Sequence, residues 1–120
     1  MQKDSAGQRG EQAAADYLQA AGYALLARNY RARTGEIDII AEKGGTVVFV
    51  EVKARHSDAY GSPAEAVTYR KQGKILNTAL CYLKQTGRTA APLRFDVIEI
   101  YLGAGVNPRV NHIANAFGRR

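Results

Sequence analysis

Gly35-Glu36-Ile37-Asp38-Ile39-Ile40-Ala41, then Lys43-Gly44-Gly45-Thr46, then Val47-Val48-Phe49-Val50-Glu51-Val52-Lys53 is the stretch whose reading decides the fold. Two apolar runs carry acids at alternate positions and meet at a pair of glycines. Successive side chains of a strand point to opposite faces, so Glu36 and Asp38 share a face, as do Glu51 and Lys53. A two-residue turn at Gly44-Gly45 sets the register. Lys43 then faces Thr46, Ile40 faces Phe49, Asp38 faces Glu51 and Glu36 faces Lys53. The charged face also carries Ile40, Val47 and Phe49, and the other face carries Ile37, Ile39, Val48, Val50 and Val52. A hairpin that is apolar on both faces is buried on both.

Two carboxylates directly opposite each other destabilise an ordinary sheet. They make sense with a divalent cation between them, because buried charges persist when paired or metal-bound. Magnesium takes oxygen ligands and keeps several waters. Asp38 and Glu51 supply carboxylates, and the backbone carbonyl of Val52 offers a neutral ligand. Lys53 is placed to orient an attacking water or to stabilise charge developing on a phosphate. The plainer alternative is a surface hairpin in which Glu36 and Lys53 form a cross-strand ion pair.

The wider composition agrees with one soluble domain. The chain has 120 residues, 46% hydrophobic and 23% charged. A formal charge of +6 favours a polyanionic partner, nucleic acid being the commonest, although it also suits a merely soluble basic surface. The single cysteine, Cys81, excludes an internal disulfide and reads as a buried structural thiol. His56 and His112 lie too far apart to argue for a histidine metal site. Met1-Gln2-Lys3-Asp4 is followed by no apolar run, and no segment has the roughly 20 apolar residues of a membrane span. No membrane association and a cytoplasmic location are therefore expected.

Residues 1–8 are polar and expected to fray; residues 9–120 are expected to form the single domain. Ala14, Leu18 and Ala21 make a helical stripe over Arg9–Ala21, which Gly22 ends. Glu11 stands at the head of that stripe. Strands are expected over Tyr23–Tyr30, Gly35–Glu42, Thr46–Arg55 and Leu93–Leu102. A helix is expected from Pro63 to Gln85, with Val67, Ile75, Ala79 and Leu83 inward and Gln72 on the same stripe. Val110–Phe117 fits either a strand or a turn of helix. This order predicts an α/β fold, a mixed β-sheet flanked by helices, with a crossover helix joining two parallel strands.

Asp38, Glu51 and Lys53 resemble the PD-(D/E)xK nuclease signature, although Gly35-Glu36-Ile37 replaces its leading proline. Arg9-Gly10-Glu11 resembles the early helical glutamate of archaeal Holliday-junction resolvases. Across nearly the whole chain, the closer likeness is to the YraN family of uncharacterised bacterial proteins. It is carried by Gly10-Glu11 with Ala14, Asn29-Tyr30, Gly35-Glu36-Ile37-Asp38, Phe49-Val50-Glu51-Val52-Lys53, Lys71-Gln72, Arg94-Phe95-Asp96-Val97, and His112 through Ala116-Phe117. The resemblance implies a restriction-endonuclease-like fold. It also implies that Glu11 joins the metal site and that Gln72, or its neighbour Lys71, reaches the cleft.

The resulting expectation is a magnesium-dependent DNA endonuclease, with manganese as a substitute, acting on branched or otherwise unusual DNA. Asp38, Glu51 and Glu11 hold the metal; Lys53, Gln72 and Glu11 act in catalysis, with Glu36 an auxiliary acid. Arg55, His56, Arg70, Lys71 and Lys74 are candidate phosphate contacts or a solvated basic rim. Tyr60 and Tyr69 are read as packing aromatics before base-stacking ones. Asp96 is read as pairing with an arginine or capping a turn, and His112 as a structural hydrogen-bonding residue. The resolvase likeness is compatible with a homodimer. The alternatives are a nucleic-acid-binding module that does not cut, and an interaction protein whose acids are a relic.

Overall fold

The computed structural model describes residues 6–55, 67–103 and 107–118. The elements are α1 (Ala6–Ala20), β1 (Ala24–Ala32), β2 (Gly35–Lys43), β3 (Thr46–Arg55), α2 (Tyr69–Gln85), β4 (Leu93–Tyr101) and β5 (Arg109–Phe117). The strands form one sheet in the order β1-β2-β3-β4-β5. Among the described strands only β3 and β4 run parallel, and α2 lies in the connection between them. The fold is α/β with a mixed sheet, as expected.

The glycine turn fixes the centre of the sheet. Gly44 and Gly45 have φ of 59° and 84°, the pair of positive values that a two-residue hairpin turn of the primed type needs. Lys43 faces Thr46 and Ile40 faces Phe49, as the sequence requires. The helices then cover opposite faces. Ala14, Ala15 and Leu18 of α1 pack with Ile39, Val48, Val50, Ile98 and Ile100. Ile75, Ala79, Tyr82 and Leu83 of α2 pack with Ile40, Val47, Phe49, Phe95 and Val97. The hairpin is therefore buried on both sides, which rules out the solvated-hairpin alternative.

Several boundaries and faces differ from expectation. Helix α1 starts at Ala6, ahead of Arg9. Helix α2 starts at Tyr69, because the Thr68 hydroxyl accepts the Lys71 N–H and caps it; Pro63 and the rest of 56–66 lie outside the described residues. Ile37 joins the α2-side core rather than Ile39's face. The ladder between β2 and β3 stops at the Ile39–Val50 pair, and strict alternation is not enforced beyond it. The undecided segment at 110–117 is strand β5, antiparallel to β4. Cys81 is only half-buried.

Helix α1 approaches the sheet closely at Gly10. A Cβ placed there would lie 2.9 Å from Ala54 Cβ. Gly10→Val is therefore expected to lower stability by about 2 kcal/mol through overpacking, a loss that thermal unfolding would register as a fall in melting temperature. An unchanged melting temperature would mean that α1 can move off β3.

Candidate active site

The β2–β3 ladder ends at Ile39–Val50, yet β2 continues back to Gly35 and β3 forward to Arg55. From Ile37 back to Gly35, β2 pairs with β1 alone. The strands part where the acids stand, and the gap opens toward α2. There Gly35, Glu36, Asp38, Glu51, Lys71, Lys74 and Ile75 line a cleft of about 210 Å³. Asp38 Oδ2 accepts the Val52 N–H at 2.8 Å, closing the gap with a side chain where a backbone carbonyl would otherwise serve.

Asp38 and Glu51 thus share one cleft without being a ladder pair. Burial, then the neighbouring Glu51, push the Asp38 carboxyl up to about 7; the Val52 N–H works the other way, and Glu11 and Glu36 add to the rise. Positive charge is gathered instead on Glu51. Its Oε2 lies 2.7 Å from Lys71 Nζ and 3.4 Å from Lys53 Nζ. Burial opposes the charge on Lys71, but the Glu51 carboxylate outweighs it and holds the ammonium above the ordinary lysine range.

The expected pair between Glu36 and Lys53 does not form. Glu36 sits opposite Arg31 on β1 and contacts its guanidinium at 3.6 Å, because β2 is paired with β1, not β3, at that point. Glu11 comes to the site from α1. With its amide nitrogen turned toward the acids, Asn29 donates to Glu36 Oε2 and Glu11 Oε1, both at 3.2 Å. Asn29 has φ of 51°, a left-handed conformation that asparagine tolerates better than most residues. The amide thus ties two acids together beside a third, a role that no periodicity in β1 announces.

From α2 it is Lys71 that enters the cleft. The Gln72 side chain donates to the Val67 carbonyl at 3.0 Å and fastens the entry to the helix. Lys74 lines the exposed lip, and Arg70 is exposed on the same first turns. Tyr69 is 66% exposed, where a buried ring was expected. Arg55 follows Lys53 on β3; His56 and Tyr60 lie outside the described residues.

Asp96 and His112 belong elsewhere. Fully buried Asp96 receives Arg94 Nε and Nη2 at 2.9 and 2.8 Å, His112 Nε2 at 2.7 Å and the Asn115 N–H at 2.9 Å. Burial would raise its carboxyl, but these bonds hold it below the usual range. His112 Nδ1 meets the Tyr17 hydroxyl at 2.9 Å, so the group locks α1, β4 and β5 together. Asp96 pairs with an arginine and His112 makes hydrogen bonds at both ring nitrogens.

Among the described residues no three His, Cys, Asp or Glu side chains converge as a metal cage. Magnesium does not require one, since one or two carboxylates and waters hold it. Asp38 and Glu51, which line the same cleft, are two carboxylates of the kind such an ion takes. No helix among the described residues is long and apolar enough to cross a membrane.

Fold and site together define an α/β domain compatible with restriction-endonuclease-like architecture, with acids and lysines collected where two central strands part. The chain belongs to the uncharacterised protein family UPF0102, whose profile matches residues 10–100; this is the family that its motifs resemble under the name YraN. It is 50% identical over 111 residues to a UPF0102 protein of Symbiobacterium thermophilum, covering 92% of this chain and 94% of that one. A UPF0102 protein of Rhodococcus jostii is 48% identical over 111 residues, with the same coverage. One from Clostridioides difficile is 43% identical over 117 residues, covering 98% of this chain and 100% of its own.

Proposed function

We propose that this protein is a divalent-metal-dependent endonuclease that hydrolyses DNA phosphodiesters, with branched or junction DNA among its substrates. The observation that carries the reading is the shared cleft: Asp38 and Glu51 from parted strands, with the Lys53 and Lys71 ammoniums within 3.4 and 2.7 Å of Glu51. Asp38 and Glu51 would hold magnesium or manganese, with the Val52 carbonyl as a neutral ligand and Glu11 acting directly or through water. When bound, the ion neutralises phosphate charge and makes a coordinated water more acidic.

The chain's own groups supply the rest. Lys53 stands beside the acids, where its ammonium can meet a non-bridging phosphate oxygen or orient the attacking water. Lys71 is paired with Glu51 at 2.7 Å and can turn to phosphate when that charge is met otherwise. Lys74 and Arg70 extend the positive rim along α2, where backbone contacts position a strand without reading its sequence. Gln72 supports the site from behind by holding the Val67 carbonyl. A two-fold dimer, which a symmetric junction would match, belongs to the same proposal.

The test is cleavage of supercoiled plasmid and of synthetic branched, nicked and single-stranded DNA, with magnesium or manganese. The proposal expects nicking or resolution that chelation stops. Salt-sensitive binding with no cleavage in either metal would favour the non-cutting binding module instead.

A further inference from the structure

Glu99 is a buried acid that the proposed chemistry does not use. It lies on β4 beside Lys53 of β3, with its side chain 1% exposed. Oε1 accepts the Tyr101 hydroxyl at 2.7 Å and Asn111 Nδ2 at 3.1 Å, while Oε2 accepts Arg55 Nε at 3.0 Å. Burial alone would raise its carboxyl, but these three bonds hold it below the usual range, so it is ionised. A buried carboxylate is costly to keep. What it does here is grip Arg55 by the inner nitrogen of the guanidinium, while the Arg55 side chain remains 30% exposed.

The face of the strand gives that grip its meaning. Val52 packs on the α1 side and Ala54 lies against Gly10 of α1. Glu51, Lys53 and Arg55 therefore follow one another on the opposite face, each about 6.6 Å beyond the last. That step is of the order of the separation between neighbouring phosphates on one nucleic-acid strand. Arg109 caps the same group, its guanidinium 4.1 Å above the Tyr101 ring.

We infer that Arg55 clamps the phosphate next to the one that Lys53 addresses, on the same DNA strand, and that Glu99, Tyr101 and Asn111 form the frame that aims it. This rests on the nuclease reading of the cleft. Arginine suits the task because a guanidinium held at Nε keeps a planar pair of outer donors for phosphate oxygens. Arg55 would touch substrate; Glu99 is a positioning residue that acts through it.

The test is binding of a fluorescent synthetic junction and a plain duplex, read by anisotropy over a salt series with calcium present. Wild type is compared with Arg55→Gln, Arg55→Lys and Glu99→Gln, each checked by thermal unfolding. Arg55→Gln is expected to weaken binding about tenfold and to reduce the salt slope by about one phosphate contact. Glu99→Gln is expected to weaken binding severalfold but keep the slope, since the charge remains and only its aim is lost. Arg55→Lys should also keep the slope and bind more weakly than wild type. If wild type binds and Arg55→Gln matches it in affinity and slope, the pair is only structural and the inference is wrong. If wild type itself does not bind, the nuclease reading fails along with it.

Discussion

Lys53→Ala is expected to slow DNA cleavage by about a hundredfold to a thousandfold, with little change in melting temperature. Lys53 stands two residues after Glu51 on β3, and its ammonium lies 3.4 Å from the Glu51 carboxylate. Its ion pair with Glu51 is 3.4 Å long and part-exposed, and Lys71 holds the same oxygen at 2.7 Å. Loss of Lys53 therefore leaves Glu51 partnered, and a pair of this kind contributes at most about 1 kcal/mol. Lys53→Arg separates two roles. Arginine keeps the charge but cannot give up a proton, so retained partial activity would assign Lys53 to charge stabilisation, and loss equal to that of alanine would point to proton transfer. A large fall in melting temperature with unchanged cleavage would make Lys53 a structural residue.

Asp38→Asn is expected to stabilise the metal-free protein at pH 8 by roughly 4 kcal/mol, and to remove the stabilisation that magnesium gives wild type. An ordinary aspartate titrates near 3.8, and Asp38 is pushed up to about 7 in the fold. Between those values the folded protein holds a proton that the unfolded chain has lost. Stability of the wild-type protein without metal should therefore fall as pH rises from about 4 to about 7, and then level off. Asparagine removes that slope and still offers an oxygen to the Val52 N–H, which Asp38 accepts at 2.8 Å. Thermal unfolding across this pH window checks the slope. Relief of repulsion alone is also what a relic site predicts, so magnesium decides between them. A working site gains about 2.7 kcal/mol at a metal concentration a hundredfold above its dissociation constant, and the asparagine variant gains almost nothing.

The sheet was legible because its signals are local. Gly44-Gly45 fixes a turn, the turn fixes a register, and Ile40 opposite Phe49 follows without any knowledge of the rest of the molecule. Burial on both faces was legible in the apolar runs for the same reason. The register misled only when carried past Ile39. Parting of the strands depends on β1 drawing β2 away and on Asp38 capping Val52, and neither is written in the hairpin itself. Glu36 consequently meets Arg31 instead of Lys53.

Contributions from other elements were harder to read. Helical spacing put Gln72 on the inward stripe, but the Thr68 cap sets where α2 begins, and Lys71 is the residue that reaches Glu51. Asn29 gave no periodic signal because its conformation breaks the pattern of an edge strand. Strand β5 was ambiguous for a similar reason: its register against β4 shifts between Phe95 and Val97, and Asn115 opposite this region has φ of 55°. The bond from Asn115 to Asp96, which joins positions distant in sequence, holds that irregularity in place.

Under the proposed chemistry a cation is held between Asp38 and Glu51. Calorimetric titration of manganese into the purified protein, beside Asp38→Asn and Glu51→Gln, tests this most directly. One binding event per chain in wild type, abolished in both variants while they remain folded, is the predicted result. A wild-type titration without binding heat and without a metal-induced rise in melting temperature would contradict it, as would variants that bind manganese as tightly as wild type.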